Sequence, residues 1–380
     1  MTGASTQRPP TALVLSGGGA RGAYEAGVVA GLVEVLGAPR LSLFAGTSVG
    51  AINASYLASQ AHRDDLGVGK LVELWTGLGL RSHLRLDRRP LARHALLDVA
   101  PFEAVVRHHV DWPRLAANID RGVLQGLFVA ALQVETGRTA VFADLAPEAR
   151  WVPSRDPQRA PSPTRITAEH VLGSAAIPGV FPPRPVGGHL YYDGGLRFNT
   201  PISPVLRAGA RRLVVVSPLH ATTVTDEAPH RQPDPLFLAG KMLHAVLLDP
   251  FAYDLQVLDR FNQLLDVLDQ TLGVDDRWRF DARCIELRGT AYRKVEALVF
   301  SPSRDIGQMG VRYLRQHRRR LLRQGLGGVL LALASRRLEA SGTDLVSYLL
   351  FDGGYTRQLV ELGRRDVWAR AAETRAFFTE

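Results

Sequence analysis

The sequence predicts an α/β protein in which helices cover both faces of a mostly parallel central sheet, with a helical C-terminal extension. Two features predict it. Short apolar runs alternate with helical patterns along most of the 380 residues. Two Gly-rich loops also sit where a strand hands over to a helix. Strands are expected at 12–15, 41–45, 126–135, 139–143 and 212–217, and a further one at 283–287. Helices are expected at 23–36 and 51–58. The Pro-, Arg- and Ser-rich stretch 150–163 and the stretch 221–235 read as surface loops flanking a cleft. The organisation expected is a disordered tail over 1–10, a main domain over 11–300, and a helical extension over 301–380 that acts as a lid or membrane-facing cap. No internal repeat is visible.

The segment Gly46-Thr47-Ser48-Val49-Gly50 follows an apolar run and precedes a helical one. Strand, tight turn and helix with Ser at the apex is the nucleophile-elbow arrangement. The flanking glycines, Gly46 and Gly50, allow the sharp turn. The Ser48 hydroxyl then sits at the positive end of a helix.

A second loop, Ser16-Gly17-Gly18-Gly19-Ala20-Arg21-Gly22, comes straight after the run 12–15. Strand-to-helix loops of this kind present backbone N–H groups without internal partners and bind negative charge. An oxyanion beside Ser48 and a phosphate both fit. The spacing Gly17-x-Gly19-x-x-Gly22 also satisfies a dinucleotide-binding pattern. That fold needs an acidic residue at the end of the second strand, and there is no Asp or Glu from Gly37 to Asn53. The position that would hold ribose holds Ser48 instead.

A third segment, Gly188-His189-Leu190-Tyr191-Tyr192-Asp193-Gly194-Gly195, reads as a short strand ending in Asp at a Gly-Gly turn. Asp-Gly turns are common, and a second copy, Asp352-Gly353-Gly354, reads as a helix stop.

Together these segments resemble the signatures of bacterial patatin-like phospholipases. Gly173-Ser174-Ala175-Ala176-Ile177-Pro178-Gly179-Val180-Phe181-Pro182-Pro183 is similar to the family's stretch just before its catalytic Asp. The resemblance implies a three-layer α/β/α patatin-like fold and a lipid acyl hydrolase, of phospholipase A or lysophospholipase type, working through a Ser-Asp dyad. By motif, Ser48 is the expected nucleophile and Asp193 the expected base. The amides of Gly17, Gly18 and Gly19 are the expected oxyanion hole. Arg21, Gly22, Gly46 and Gly50 are supporting residues, with Arg21 holding the loop or a lipid headgroup. Plant members often begin the glycine motif with Asp, where this chain has Ser16.

The chemistry is consistent without the family. A Ser hydroxyl needs a base to take its proton, and a carboxylate is a weaker base than imidazole near neutral pH. Preorganised oxyanion donors compensate, and esters ask less of them than amides. Two other readings fit. An α/β-hydrolase triad would add His220, His230 or His244 after Ser48 and Asp193, although the elbow then follows too early a strand. A catalytically silent lipid-binding scaffold would keep the fold alone.

No metal-ligand spacing occurs, since His108 and His109 point to different faces, and no metal or cofactor is expected. The single cysteine, Cys284, excludes an internal disulfide and fits a reducing compartment. No secretory signal and no 18-residue apolar span is visible, so a cytoplasmic or peripherally membrane-associated protein is expected. Net charge is +9. Basic residues cluster at Arg81, Arg85, Arg88, Arg89 and Arg93, and at Arg312, Arg315, Arg318, Arg319, Arg320 and Arg323. The second cluster reads as a basic amphipathic helix for an anionic membrane. The expected partners are a lipid ester and a membrane surface, with no nucleic acid, because no binding motif accompanies the charge.

Overall fold

The computed structural model describes residues 10–79, 85–86, 97–98, 100–217, 249–321 and 347–379. The first elements are β1 (Thr11–Leu15), α1 (Gly22–Leu36), β2 (Leu43–Thr47), α2 (Val49–Ser59) and α3 (Val68–Thr76). A two-stranded ribbon follows, β3 (Arg85–Leu86) with β4 (Leu97–Asp98), then α4 (Ala100–His109) and α5 (Trp112–Asp120). Next come β5 (Gly126–Gln133), β6 (Thr139–Leu145), β7 (Arg159–Pro163), α6 (Ala168–Ser174), β8 (Arg184–Val186) and β9 (His189–Asp193). The chain continues through α7 (Ile202–Arg207), β10 (Arg212–Val216), α8 (Asp249–Thr271), α9 (Val274–Arg288) and β11 (Glu296–Phe300). It ends with α10 (Ile306–Gln316), α11 (Arg318–Leu321), α12 (Gly353–Ala369) and α13 (Ala371–Thr379).

Among the described residues the main sheet runs β11-β10-β1-β2-β5-β6-β7, with β9 joining at β5 and β8 pairing β9. The strands β11, β10, β1, β2 and β5 are mutually parallel along this path. β6 returns antiparallel to β5.

The strands are apolar on both faces because both faces are covered. Successive residues alternate between two cores. Leu13, Leu15, Phe44, Val129 and Val214 pack on one side with α1, α2 and α12. Ala12, Val14, Leu43, Phe128 and Val215 pack on the other with Ile202 and Val205 of α7, while Leu255 and Leu258 of α8 close over them. This is the expected three-layer α/β/α arrangement with a mostly parallel sheet.

The C-terminal helices belong to the first core. Leu359, Val360, Leu362 and Val367 of α12 are buried in it. Tyr24 of α1 donates a hydrogen bond to Asp366 Oδ2 at 2.9 Å.

Three local expectations are corrected. Residues 283–287 lie inside α9 rather than in a strand. The last part of 150–163 is β7, paired with β6, because neighbouring strand β6 supplies the partners a surface loop would lack. The second Asp-Gly-Gly starts a helix instead of stopping one. Asp352 is the N-cap of α12, and its Oδ1 accepts from the Gly354 N–H at 3.0 Å. It also accepts from the Tyr313 hydroxyl.

The apolar face of α10 is buried through Ile306, Val311, Tyr313 and Leu314, which leaves Arg312, Arg315 and, beyond it, Arg319 exposed. Among the described residues no helix is long and apolar enough to cross a membrane. The N-terminal residues 1–9, the stretch 221–235, His220, His230, His244, Arg323 and the side chains of Arg81, Arg85, Arg88, Arg89 and Arg93 lie outside the described residues.

Candidate active site

β2 runs one residue short of Ser48, and α2 begins one residue after it. The turn between them forces Ser48 to φ 55° and ψ −129°. An L-residue pays roughly 1–3 kcal/mol for such backbone. Two close approaches hold it there. A Cβ on Gly50 would lie 2.5 Å from the Leu15 carbonyl oxygen, and one on Gly46 would lie 2.3 Å from that of Gly50. Both positions therefore exclude any side chain.

Asp193 arrives from the other direction. β5 pairs through Thr47↔Ala130 with the end of β2 and through Ala131↔Asp193 with the end of β9. The two strands thus run head-on along one edge of β5 and stop beside each other. Ser48 Oγ donates to Asp193 Oδ2 at 2.5 Å. The other carboxylate oxygen, Oδ1, accepts from the Gly195 N–H at 2.7 Å. Asp193 is 1% exposed and Ser48 5%. Burial of the carboxylate lifts its pKa to about 7, against the opposing pull of the Ser48 and Gly195 hydrogen bonds.

The three glycines of the loop are not equivalent. The Gly17 N–H donates to Asn199 Oδ1 at 2.9 Å, and Asn199 Nδ2 donates back to the Gly17 carbonyl at 3.3 Å. A Cβ on Gly17 would stand 3.0 Å from that of Ser48, so the loop lies directly against the nucleophile position. The Gly18 and Gly19 amides make no hydrogen bond among the described residues. Arg21 is 2% exposed, and its Nε donates to Ser347 Oγ at 2.8 Å while its guanidinium lies over the Tyr348 ring. It fastens the loop to the segment before α12 and is too buried to meet a headgroup. Ser16 Oγ donates to the Val216 carbonyl at 3.1 Å and contacts Thr200 Oγ1 at 2.9 Å. Gly22 packs against Val49, the first residue of α2.

A family model for patatin-like phospholipases matches residues 13–206, just over half of the chain. The chain belongs to the patatin-like phospholipase family. The crystal structure of VipD from Legionella pneumophila is similar at 15% identity and a TM-score of 0.35, over 78% of this chain and 61% of that one. The similarity therefore spans about three-fifths of that protein's length. No curated protein sequence matches.

Within this member of the family, sequence reasoning missed how the motifs are joined. Asn53, at the end of the elbow motif, donates to the Gly22 carbonyl at 3.0 Å and to Glu25 Oε2 at 2.9 Å, and accepts from Trp75 Nε1 at 3.0 Å. It ties α2 to α1 and α3. Burial raises the Glu25 pKa well above its ordinary value, against the opposing pull of the hydrogen bonds from Asn53 and the Ser16 backbone. Asn199 had no signal in the sequence beyond its nearness to Asp193. Ser174 and Ala176 belong to the 173–183 stretch, where no local pattern marks them out from their neighbours. Among the described residues no cluster of three or more His, Cys, Asp or Glu side chains is placed to hold a metal.

Proposed function

We propose that this protein hydrolyses carboxylic ester bonds of lipids, in the manner of a phospholipase A or lysophospholipase, through an acyl-enzyme on Ser48 with Asp193 as base. The observation that carries the reading is the direct 2.5 Å hydrogen bond from Ser48 Oγ to Asp193 Oδ2 in a buried pair. With the hydroxyl already donating to a carboxylate, the proton has its acceptor before the substrate arrives.

In the first half-reaction, Ser48 Oγ forms a bond to the ester carbonyl carbon while its proton passes to Asp193. Negative charge develops on the former carbonyl oxygen. The Gly18 and Gly19 amides supply the stabilising donors, with the positive end of α2 behind Ser48. Gly17 acts differently: its N–H is engaged by Asn199, so it holds the loop against Ser48. Collapse breaks the bond to the alcohol, which leaves with the proton from Asp193. Water then attacks the acyl-enzyme, giving a proton to Asp193. The fatty acid departs as that proton returns to Ser48 Oγ. No cofactor enters these steps.

The substrate is amphiphilic, so the enzyme meets it at a lipid surface. The exposed arginines of α10 and α11 supply positive charge for transient contact with anionic headgroups. Their apolar neighbours are already buried, so the contact is electrostatic rather than insertion.

The test is covalent labelling with a fluorophosphonate, together with product profiling on phospholipid, lysophospholipid and neutral ester. Labelling and release of fatty acid should both be lost in Ser48→Ala. Retained turnover in that variant ends the proposal.

A further inference from the structure

One turn touches both members of the dyad. α6 ends at Ser174, and the chain passes through Ala175 and Ala176 on its way to β8 and β9. Ser174 Oγ donates to the Ala130 carbonyl at 2.6 Å and accepts from the Ser48 N–H at 2.8 Å. Two residues on, the Ala176 carbonyl accepts from the Asp193 N–H at 2.8 Å. Ser174 is fully buried. Ala130 is the β5 residue paired with Thr47, one place before the residue paired with Asp193.

We infer that Ser174 is a positioning residue, and that the 174–176 turn sets the spacing between Ser48 and Asp193. This deepens the hydrolase reading and rests on it. Ser48 holds a positive φ, so its peptide group is free of the β2 ladder and needs another anchor. The Ser174 hydroxyl provides one, because it can accept and donate at once. By fixing the Ser48 amide it fixes the direction of the Cα–Cβ bond, and so aims Oγ at Asp193. The same turn hangs the Asp193 backbone from Ala176. A shift of either end then moves both reacting groups together rather than apart.

A second consequence concerns the oxyanion. The Ser48 N–H is engaged by Ser174 Oγ and is not available to an oxyanion. Charge stabilisation thus falls to amides outside the nucleophile's own peptide group. Ala130 contributes a fixed floor, because its carbonyl also lies where a Cβ on Gly194 would be, 2.3 Å away.

The experiment compares wild type with Ser174→Ala, Ser174→Cys and Ser174→Thr, using a short-chain soluble ester and fluorophosphonate labelling. Ser174→Ala removes one buried oxygen and little volume. It should lower kcat by roughly 10- to 100-fold, the range for a small misplacement of a reacting group, with KM within about twofold. The labelling rate should fall in step. The acid limb of the kcat profile should move to higher pH, because a less well aimed Ser48 hydroxyl holds the Asp193 carboxylate in its charged form less firmly. Ser174→Cys keeps a slightly larger group with a weaker hydrogen bond and should change both readouts in the same direction by less; it decides the matter if the Ala variant does not fold. Ser174→Thr, which restores the hydroxyl, should recover most of the rate. A lower melting temperature with kcat and the acid limb unmoved in both the Ala and Cys variants would show a packing residue only and overturn the inference. Ser48→Ala, run in parallel, separates the two ideas: turnover there defeats the dyad whatever Ser174 does.

Discussion

Thr47 and Asp193 end two strands that meet on the same edge of β5, one parallel to it and one antiparallel. Because β5 is longer than β2, it offers three open register positions past Ala130, and β9 fills them from the opposite end. That meeting point explains why the proposed nucleophile and base are 145 residues apart in sequence yet in hydrogen-bond contact.

The first expectation is a pH profile. Asp193 must be ionised to take the Ser48 proton, and burial puts its pKa at about 7. Below that value kcat/KM should fall roughly tenfold per pH unit, as for a single essential base. Steady-state kinetics on a soluble ester checks it. An acid limb centred near pH 4 would mean that burial does not raise the essential carboxylate in this way.

The same shift has a stability cost with a definite sign. The folded pKa lies above the ordinary value of 3.8. The fold therefore gains from protonated Asp193 at low pH and loses that gain as pH rises from about 4 through about 7. About three pKa units correspond to roughly 4 kcal/mol at most. Asp193→Asn should be inactive yet more stable than wild type at pH 8, with the difference shrinking toward pH 4. Urea melts at the two pH values measure it, and a variant less stable than wild type at pH 8 contradicts it.

Gly50→Ala would drive a methyl group into the Leu15 carbonyl, a backbone atom that cannot step aside. Overpacking of this kind costs about 1–3 kcal/mol. The variant should lose that much in chemical denaturation and most of its labelling by fluorophosphonate, since the elbow must open to relieve the clash. Normal labelling would show that the elbow tolerates the movement.

Asp352→Asn distinguishes the two Asp-Gly-Gly segments. Asn keeps an acceptor for the Gly354 amide but weakens the bond from Tyr313. Stability should fall by about 1–2 kcal/mol, the range for a weakened charged hydrogen bond, with kcat within a few-fold of wild type. A loss of kcat as deep as that of Asp193→Asn would assign Asp352 a role in the chemistry.

Replacing Arg312 and Arg319 together by Gln should weaken binding to anionic vesicles, at about 1 kcal/mol per arginine. Turnover of a soluble ester should be unaffected. Vesicle pelleting at low and high salt provides the check, with binding insensitive to both lipid charge and the substitution as the contrary outcome.

Much of the fold and the site was legible along the chain. The elbow glycines, the glycine loop and the Asp at a strand end follow local rules: a backbone turn that only glycine permits, or a carboxylate at a strand terminus. The strands β1, β2, β5, β6 and β10 were legible because burial on both faces leaves near-continuous apolar runs, as at 12–15 and 212–216. By contrast β7, β8 and β11 were not, because they are short strands toward the sheet's margins with mixed composition. Residues 283–287 misled, because a short mixed run inside a charged helix has no period of its own to read. Asp352 misled because Asp-Gly-Gly caps a helix start as readily as it ends one.

The sequence alone thus determined the residue types, the turns and the layered class, since these depend on neighbours a few positions away. Tertiary structure decided which of those residues share a site. Asn199 reaches Gly17 across 182 positions and Ser174 reaches Ser48 across 126. Contacts of that range depend on strand order and register in the assembled sheet, which no local pattern encodes. The Asp193 pKa, too, exists only once the fold has removed water from around the carboxylate.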